Sequence, residues 1–316
     1  MIKTFKSDSY LIVCLSLLLA VTSAEAKTEK VVLNVPNMAF PFFGFMRNQA
    51  QDEAKKLKVE LIVQDGQGSS PKQSSDVRNS ITQGVDGIVL VPNDVHALAQ
   101  VVNEVGKANI PLITVDRRVV DTDKPTPHVG ADNVAGGRAQ GEYLVKKFPN
   151  GAKIIFLRGE PGASPAIDRA QGFYEVIKAK GDKYSVLADQ TGNFRRDQGM
   201  TVTQNLLTSL GTPPDIIVAS NDDMALGAVE ALGQAKIEKG KVLVIGYDAL
   251  PDALRAVRDG TMAATVEQSP GKQVRTAMQE LVDHLRSKKE MKAASIQPFV
   301  VDKENLDKAE RIDEAK

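Results

Sequence analysis

Short apolar runs alternate with amphipathic helical stretches along most of this chain, and that alternation restricts its possible folds most strongly. The helical stretches carry apolar residues at helical spacing, as in Leu98, Val101, Val102 and Val105. Such alternation builds parallel sheets covered by helices on both faces, so it predicts a doubly wound α/β fold. The predicted strands are residues 31–35, 59–63, 87–91, 110–115, 153–157, 184–188, 215–220 and 241–247, and the predicted helices are residues 43–56, 72–83, 95–108, 134–147, 166–179, 196–210 and 222–234.

The number of predicted strands favours two lobes over a single sheet, which would be unusually wide. The second half of the chain repeats the strand–helix order of the first. A segment rich in Asp, Thr and Pro near residues 122–127 is interpreted as a linker that leads to the second lobe. We therefore predict two doubly wound parallel-sheet lobes.

The first residues have the pattern of a secretory signal. Lys3 and Lys6 precede an apolar stretch, and Ala24-Glu25-Ala26 supplies the small-x-small pattern of a cleavage site. The stretch is shorter than the ~20 residues of a spanning helix, which disfavours a membrane anchor. Cys14, the only cysteine, lies inside it with bulky Val13 before it, which disfavours a lipoprotein. We predict a signal peptide over residues 1–26, cleavage after Ala26, and a cysteine-free mature protein in the periplasm.

Charge and motif content disfavour several classes of function. Forty basic and forty acidic residues cancel, so no overall field indicates nucleic acid or an anionic membrane as a partner. The sequence has neither a glycine-rich dinucleotide fingerprint after the first strand nor a phosphate loop. The three histidines lack metal-ligand spacing, and no Ser nucleophile elbow or Cys–His pair is present. We predict a protein without metal or cofactor that is not an enzyme.

Four apolar runs end on polar side chains that can hydrogen-bond a hydroxyl: Asp116-Arg117, Asn221, Asp248 and Gln268. The carboxyl ends of the strands in an open α/β sheet are where ligands bind, so we expect these residues to share one crevice. Asp accepts hydrogen bonds only, Arg donates only, and Asn and Gln do both. This mixture predicts a small polyhydroxylated ligand.

An aromatic cluster directly after the first strand is the second part of the predicted site. Residues 40–45 hold four of the ten phenylalanines of the chain. Aromatic rings pack against the C–H faces of sugars, so we predict pocket roles for Phe42 and Phe43, with Phe40 beside them. The alternative is a core cluster beneath a helix start.

The second lobe supplies weaker candidates. Arg169 and Phe194 lie in loop or helix-start segments, and acidic Asp222 and Asp223 are interpreted as helix caps. Asp116 and Asp248 balance Arg117 and Arg169, which favours an uncharged ligand. A glycosidase-like role for the two Asp residues is disfavoured, because we expect the adjacent Arg side chains to keep their pKa values from rising.

Six motifs, in a fixed order that extends over the mature chain, carry a family resemblance: Phe40-Pro41-Phe42-Phe43, Val115-Asp116-Arg117, Ala131-Asp132-Asn133-Val134-Ala135-Gly136-Gly137, Asn221-Asp222-Asp223-Met224-Ala225-Leu226-Gly227-Ala228, Gly246-Tyr247-Asp248 and Ala264-Thr265-Val266-Glu267-Gln268. In this order they resemble the periplasmic sugar-binding proteins of ABC importers, in the ribose-type branch of the type I fold. The resemblance implies a monomer that delivers a sugar to an inner-membrane ABC permease.

The resemblance also implies two lobes joined by three hinge crossings, near Ala131-Asp132, Gln268 and Ile296. The N-terminal lobe would hold residues 27–131 and 269–296, and the C-terminal lobe residues 132–268 and 297–316. By the family pattern, Phe42 and Phe43 stack on one face of the ligand ring and Phe194 on the other. The hydroxyls would be bound by Asp116, Arg117, Arg169, Asn221, Asp248 and Gln268.

Two departures from the family pattern bear on the ligand. Ribose binders carry Asn where this chain has Phe40, and usually serine where it has Pro36. The segments at residues 128–133, 196–198 and 266–271 resemble the myo-inositol-binding members more closely. We therefore predict a neutral cyclitol or monosaccharide, with myo-inositol favoured over ribose.

Other classes of function remain as alternatives. The nearest is a sugar or signal-molecule receptor for chemotaxis or quorum sensing, which differs only in its membrane partner. A sugar-responsive transcription regulator would need an N-terminal DNA-binding helix pair, and this chain has a signal-like segment there. A secreted carbohydrate enzyme is the third alternative.

Overall fold

The computed structural model describes residues 27–316, so the predicted signal peptide and its cleavage site lie outside the described residues. Within that range strands and helices alternate, as predicted. Up to residue 131 the elements are β1 (Lys30–Val35), α1 (Pro41–Leu57), β2 (Glu60–Asp65), α2 (Ser70–Thr82), β3 (Gly87–Leu90), α3 (Ala99–Lys107), β4 (Leu112–Val115) and β5 (His128–Ala131). They are followed by α4 (Asn133–Lys147), β6 (Ala152–Arg158), α5 (Ser164–Ala179), β7 (Tyr184–Thr191), α6 (Arg196–Leu210), β8 (Ile216–Ala219), α7 (Asp222–Gln234), β9 (Leu243–Ile245), α8 (Pro251–Asp259), β10 (Thr265–Glu267), α9 (Pro270–Ser287), β11 (Ala294–Ile296) and β12 (Phe299–Val301).

The first sheet contains six parallel strands in the order β11-β5-β4-β3-β1-β2. Leu33 of β1 lies opposite Val63 on one side and Val89 on the other. Strands β3 and β4 are buried along their whole length, which explains why their sequences are continuous apolar runs rather than alternating ones. Helices α1 and α9 pack together, and α9 also lies against β3, β4 and β5.

The second sheet contains four parallel strands in the order β7-β6-β8-β9. A parallel bridge from Ile245 to Ala264 extends it toward β10, which pairs antiparallel with β12. Helices α4 and α5 pack closely, because Gly137 and Gly172 let the two backbones approach: a Cβ on Gly137 would lie 2.1 Å from the Arg169 carbonyl oxygen.

The chain passes between the two halves of the molecule three times, after β5, after β10 and after β11. We call the part built on the first sheet the first lobe and the part built on the second sheet the second lobe. The first lobe takes its strands from residues 30–131 and 294–296, and the second lobe from residues 152–267 and 299–301.

The segment near residues 122–127 is not the linker between lobes that the sequence predicts. It joins β4 to β5, and these strands pair in the first sheet with Val115 opposite Val129. Strand β5 has only four residues, one of them Gly130, so it carries too little apolar pattern to be recognised. Among residues 27–316, no helix is both long enough and apolar enough to span a bilayer.

Candidate functional site

A narrow cavity of about 30 Å³ lies between the two lobes. All ten residues predicted from the sequence line it, together with Pro165 and Asp223: Phe40, Phe42, Phe43, Asp116, Arg117, Arg169, Phe194, Asn221, Asp248 and Gln268.

Four of the polar lining residues come from the carboxyl ends of strands. Asp116 follows β4 in the first lobe, and Asn221 and Asp248 follow β8 and β9 in the second. Gln268 follows β10, at one of the passages between lobes. Parallel strands place their carboxyl ends at one edge of a sheet, and the two sheets present these edges to the same cavity.

Aromatic rings form walls of the cavity on both lobes. Phe42 and Phe43 occupy the first turn of α1 with ring centroids 5.2 Å apart, and Phe40 lies 6.2 Å from Phe43. Phe194 belongs to the loop before α6 on the second lobe. Its ring lies directly over Gly159, where a Cβ would come within 2.1 Å of it, so glycine is required there.

Arg117 is fixed between these aromatic rings. Its guanidinium carbon lies 5.5 Å from the centroid of the Phe43 ring and 5.7 Å from that of Phe194, within cation–π range. Its Nη1 donates to the Asn93 carbonyl at 3.0 Å and to Glu160 Oε2 at 3.1 Å. Because Glu160 belongs to the second lobe, this ion pair connects the two lobes beside the cavity.

Arg169 projects from α5 and is nearly fully buried. Its Nε donates to Asn133 Oδ1 at 2.8 Å and its Nη1 to the Ser220 carbonyl at 2.6 Å. Asp248 Oδ1 lies 3.6 Å from Nη1, and the Tyr247 ring centroid lies 3.6 Å from the guanidinium carbon. These contacts hold the plane of the guanidinium in one orientation.

The two predicted carboxylates differ in the hydrogen bonds they accept. Asp248 Oδ1 accepts from Gln268 Nε2 at 2.6 Å. Among the described residues, no hydrogen bond reaches the side chain of Asp116, although that residue is only 4% exposed. A buried carboxylate with free lone pairs is costly unless a partner donates to it, and ligand hydroxyls are such donors.

Burial raises the pKa of Asp116 to about 6 and that of Asp248 to about 7. Arg117 and Arg169 lower the pKa of Asp116, and Arg169 lowers that of Asp248, but less than desolvation raises both. The expectation that adjacent Arg side chains keep these pKa values from rising is therefore wrong. Asp248 lies 3.6 Å from Arg169, whereas no cation lies within ion-pair distance of the Asp116 carboxylate among the described residues.

The side-chain amide of Asn221 makes hydrogen bonds within the protein through both its oxygen and its nitrogen. Its Oδ1 accepts from the Met224 amide at 3.0 Å and so caps α7, while its Nδ2 donates to the Phe194 carbonyl at 3.0 Å. Asn221 therefore holds the Phe194 loop against the start of α7. Gln268 likewise accepts a hydrogen bond from Gln273 Nε2, at 3.2 Å.

Three cavity residues other than glycine have backbone φ angles in the left-handed region: Asp116 at 63°, Phe194 at 58° and Asp248 at 111°. Such conformations cost of order 1–3 kcal/mol each and persist only where the surrounding structure enforces them. Their concentration around one cavity is typical of a functional site.

Two lining residues were not predicted as ligand contacts. Pro165 lies in the first turn of α5. Asp223 was interpreted as a helix cap, and it does lie in the first turn of α7, but it also faces the cavity. With Asp223, three carboxylates and two guanidiniums line the cavity, so the predicted balance of charges does not hold. Nothing in the residue spacing separates Asp223 from an ordinary acidic cap.

Comparison with known proteins identifies the family. A family profile for the periplasmic binding protein domain matches residues 31–289. The chain belongs to the periplasmic binding proteins. This membership confirms the predicted resemblance and the predicted α/β fold of parallel sheets.

Similar periplasmic binding proteins include sugar and cyclitol binders. The ribose import binding protein of Salmonella typhimurium is 39% identical over 254 residues, which cover 79% of this chain and 83% of that protein. The structure of a Caulobacter myo-inositol binding protein bound to myo-inositol has a TM-score of 0.89 and 43% identity, covering 90% of this chain and 97% of that one. A solute binding protein of an ABC transporter from Bacillus halodurans, with bound myo-inositol, has a TM-score of 0.85 and 31% identity, covering 90% and 98%. These relatives are solute-binding proteins, in agreement with the prediction that the chain is not an enzyme.

Proposed function

We propose that this protein is the substrate-binding component of an ABC importer and that it binds a neutral cyclitol or monosaccharide, with myo-inositol favoured. The observation that carries the proposal is the composition of the cavity. Carboxylates with free lone pairs face Arg side chains between aromatic walls, and a hydroxyl can donate to the former and accept from the latter.

The absence of surplus basic residues around the described cavity supports an uncharged ligand. Arg117 and Arg169 are the only cations among its twelve lining residues, and both lie beside carboxylates. A sugar phosphate or a carboxylate would call for an excess of Arg or Lys, such as a bidentate Arg left free for the anion.

Two lines of support favour myo-inositol over ribose. The segments at residues 128–133, 196–198 and 266–271 resemble the myo-inositol-binding members more closely than the ribose binders. Two of the similar structures were solved with bound myo-inositol, one of them at 43% identity to this chain.

Ligand binding would be coupled to closure of the two lobes, because cavity residues come from both. Lobe–lobe contacts beside the cavity include Arg117 with Glu160, Arg118 with Asp168 (Nη2 to Oδ1, 2.8 Å), and the Val95 amide with the Gly162 carbonyl (2.9 Å). A ligand that contacts both lobes favours the conformation in which they meet, which is the hinge-type change of a binding protein. The closed, loaded protein would then deliver the ligand to a permease.

Isothermal titration calorimetry of the purified mature protein tests this proposal, with myo-inositol, ribose and other monosaccharides and polyols as ligands. We expect a dissociation constant in the micromolar range or below for at least one of them, which corresponds to about 8 kcal/mol or more. A panel in which every ligand binds more weakly than millimolar would refute the proposal. Sizing of the secreted protein by mass spectrometry would test cleavage after Ala26.

A further inference from the structure

A groove lies next to the cavity. It has a volume of about 360 Å³ and is lined by Asn37, Ala39, Phe40, Pro41, Phe194, Arg195, Arg196, Asp197 and Asp223. Phe40, Phe194 and Asp223 line both the cavity and this groove. We call these three residues the partition, because they separate the two spaces.

Asp223 is the polar member of the partition. The other polar residues of the cavity line the cavity only, so they surround the part of a ligand that lies farther from the groove. Phe40 and Phe194, which share the partition with Asp223, have no side-chain hydrogen-bonding group. At this end of the cavity, a ligand hydroxyl therefore meets Asp223 as its polar side-chain partner.

The carboxylate of Asp223 has spare capacity to accept hydrogen bonds. The residue is 7% exposed, and its one close cation is Arg196, whose Nη2 lies 3.4 Å away and also donates to Asp252 at 3.1 Å. Among the described residues, no hydrogen bond within normal geometry reaches the Asp223 carboxylate. A carboxylate accepts up to four hydrogen bonds, so most of the capacity of Asp223 is open toward the cavity and the groove that it lines.

We infer that Asp223 accepts a hydrogen bond from the hydroxyl at the partition end of the ligand and thereby selects a cyclitol over a pentose. This inference deepens the proposed function and rests on it. A cyclitol carries a hydroxyl on every carbon of its ring, so a hydroxyl faces Asp223 in any in-plane orientation. A pentose in its pyranose form has a ring oxygen and a CH₂ group in place of two such carbons, and neither donates a hydrogen bond.

Asp197 provides a matched control. Like Asp223, it lies in the first turn of a helix, pairs with a neighbouring Arg and lines the groove, but it does not line the cavity. A purely local role in helix stability or groove electrostatics predicts similar effects for Asp197→Ala and Asp223→Ala. A role in recognition predicts an effect on ligand affinity for Asp223→Ala alone.

The experiment measures dissociation constants for myo-inositol and for ribose by calorimetry with the wild type, Asp223→Ala, Asp223→Asn and Asp197→Ala, together with thermal melting of each. We expect Asp223→Ala to weaken myo-inositol binding by roughly 10- to 100-fold and ribose binding by less than about threefold. Asp223→Asn, which keeps an acceptor but loses the charge, should lie between wild type and Asp223→Ala. Asp197→Ala should bind both ligands as the wild type does.

The outcomes separate this inference from the function it rests on. If the wild type binds no polyol or sugar, the proposed function is refuted and the inference with it. If the wild type binds ribose but not myo-inositol, the proposed class of ligand stands and the inference is wrong. The inference is equally wrong if a folded Asp223→Ala variant binds both ligands as the wild type does, or loses both to the same extent.

Discussion

The guanidinium carbon of Arg169 lies 3.6 Å from the centroid of the Tyr247 ring, within cation–π range. This contact ties α5 to the residue that precedes Asp248, so the cation and the carboxylate of the second lobe are positioned as one unit. The shape of the guanidinium is essential to this arrangement, because the group donates two hydrogen bonds from separate nitrogens while it contacts the ring.

Arg169→Lys therefore tests whether geometry or charge is required. A Lys ammonium keeps the positive charge but cannot stack and reach both Asn133 and the Ser220 carbonyl, so we expect ligand affinity to fall by roughly 10- to 100-fold. Calorimetry measures this loss. Arg158→Lys is the control, since Arg158 also lies over a Tyr ring and pairs with an Asp but does not line the cavity. Wild-type affinity in Arg169→Lys would show that charge alone suffices.

Asp248→Ala is expected to abolish measurable binding. The substitution removes the acceptor of Gln268 and leaves Arg169 and the ligand hydroxyls without their carboxylate, at a buried position. Titration with the best ligand of the panel gives the readout. Asp259→Ala, at an exposed position, is the control and should bind the ligand with wild-type affinity. Unchanged affinity in Asp248→Ala would remove this residue from the binding site.

Gly159→Ala is expected to weaken binding by displacing Phe194. The new Cβ would lie 2.1 Å from the ring, so the ring must leave its place at the wall of the cavity. Gly44→Ala is the matched control, because Gly44 lies next to Phe43 in α1 and a Cβ added there would meet nothing within 4 Å. That variant should keep its affinity and gain roughly 0.5–1 kcal/mol in unfolding free energy. Comparable affinities of the two variants would contradict the assigned position of Phe194.

The raised pKa values of Asp116 and Asp248 predict an unusual pH dependence of stability in the ligand-free protein. Burial raises the pKa of Asp116 to about 6 and that of Asp248 to about 7, from the usual Asp value of 3.8. Between about pH 4 and pH 7 the folded protein keeps protons that the unfolded chain has released, so the unfolding free energy contributed by these groups falls as pH rises. Above that window the contribution is constant.

Urea unfolding at about pH 5 and pH 8 measures this effect, by comparison of the wild type with the Asp116→Asn/Asp248→Asn double variant. The wild type should lose more stability than the variant on going to the higher pH. Glu267 and His128 also have shifted pKa values, raised to about 7 and lowered to about 4, but both are unchanged in the variant. The comparison therefore reports the two Asp residues together with the part of the raised pKa of Asp222 that the charge of Asp248 causes. An equal loss in both proteins would refute the prediction.

Sequence periodicity was sufficient for eight of the ten parallel strands, and for the residues that follow them; β5 and β11 were not predicted. Asp116, Asn221 and Asp248 line one cavity because parallel strands end at a common edge, which is a general property of the fold. Arg169 and Phe194 were weak candidates on their own, because a helix interior and a loop do not fix a side chain's direction. The family pattern, and not a quoted motif, assigned them to the site, and the structure shows close contacts at Gly137 and Gly159 beside them.

Other features depend on how deeply a side chain is buried and on what packs around it, and residue patterns in the sequence do not reveal either. Strand β5 is too short and too rich in small residues to show a period, so the segment before it was mistaken for a linker. Asp223 has the sequence context of a helix cap, and only the three-dimensional structure shows that it also faces the cavity. The raised pKa values likewise follow from desolvation between two lobes.

The contacts between Arg118 and Asp168, and between Val95 and Gly162, join the lobes without involving any cavity-lining residue. These contacts favour the closed conformation to the same extent whether or not a ligand is bound. They therefore set the fraction of ligand-free protein that is closed. A transporter that recognises only that shape would engage empty receptors in the same proportion. The strength of these ligand-independent contacts therefore determines how tightly the energy that the importer consumes is coupled to transport of the ligand.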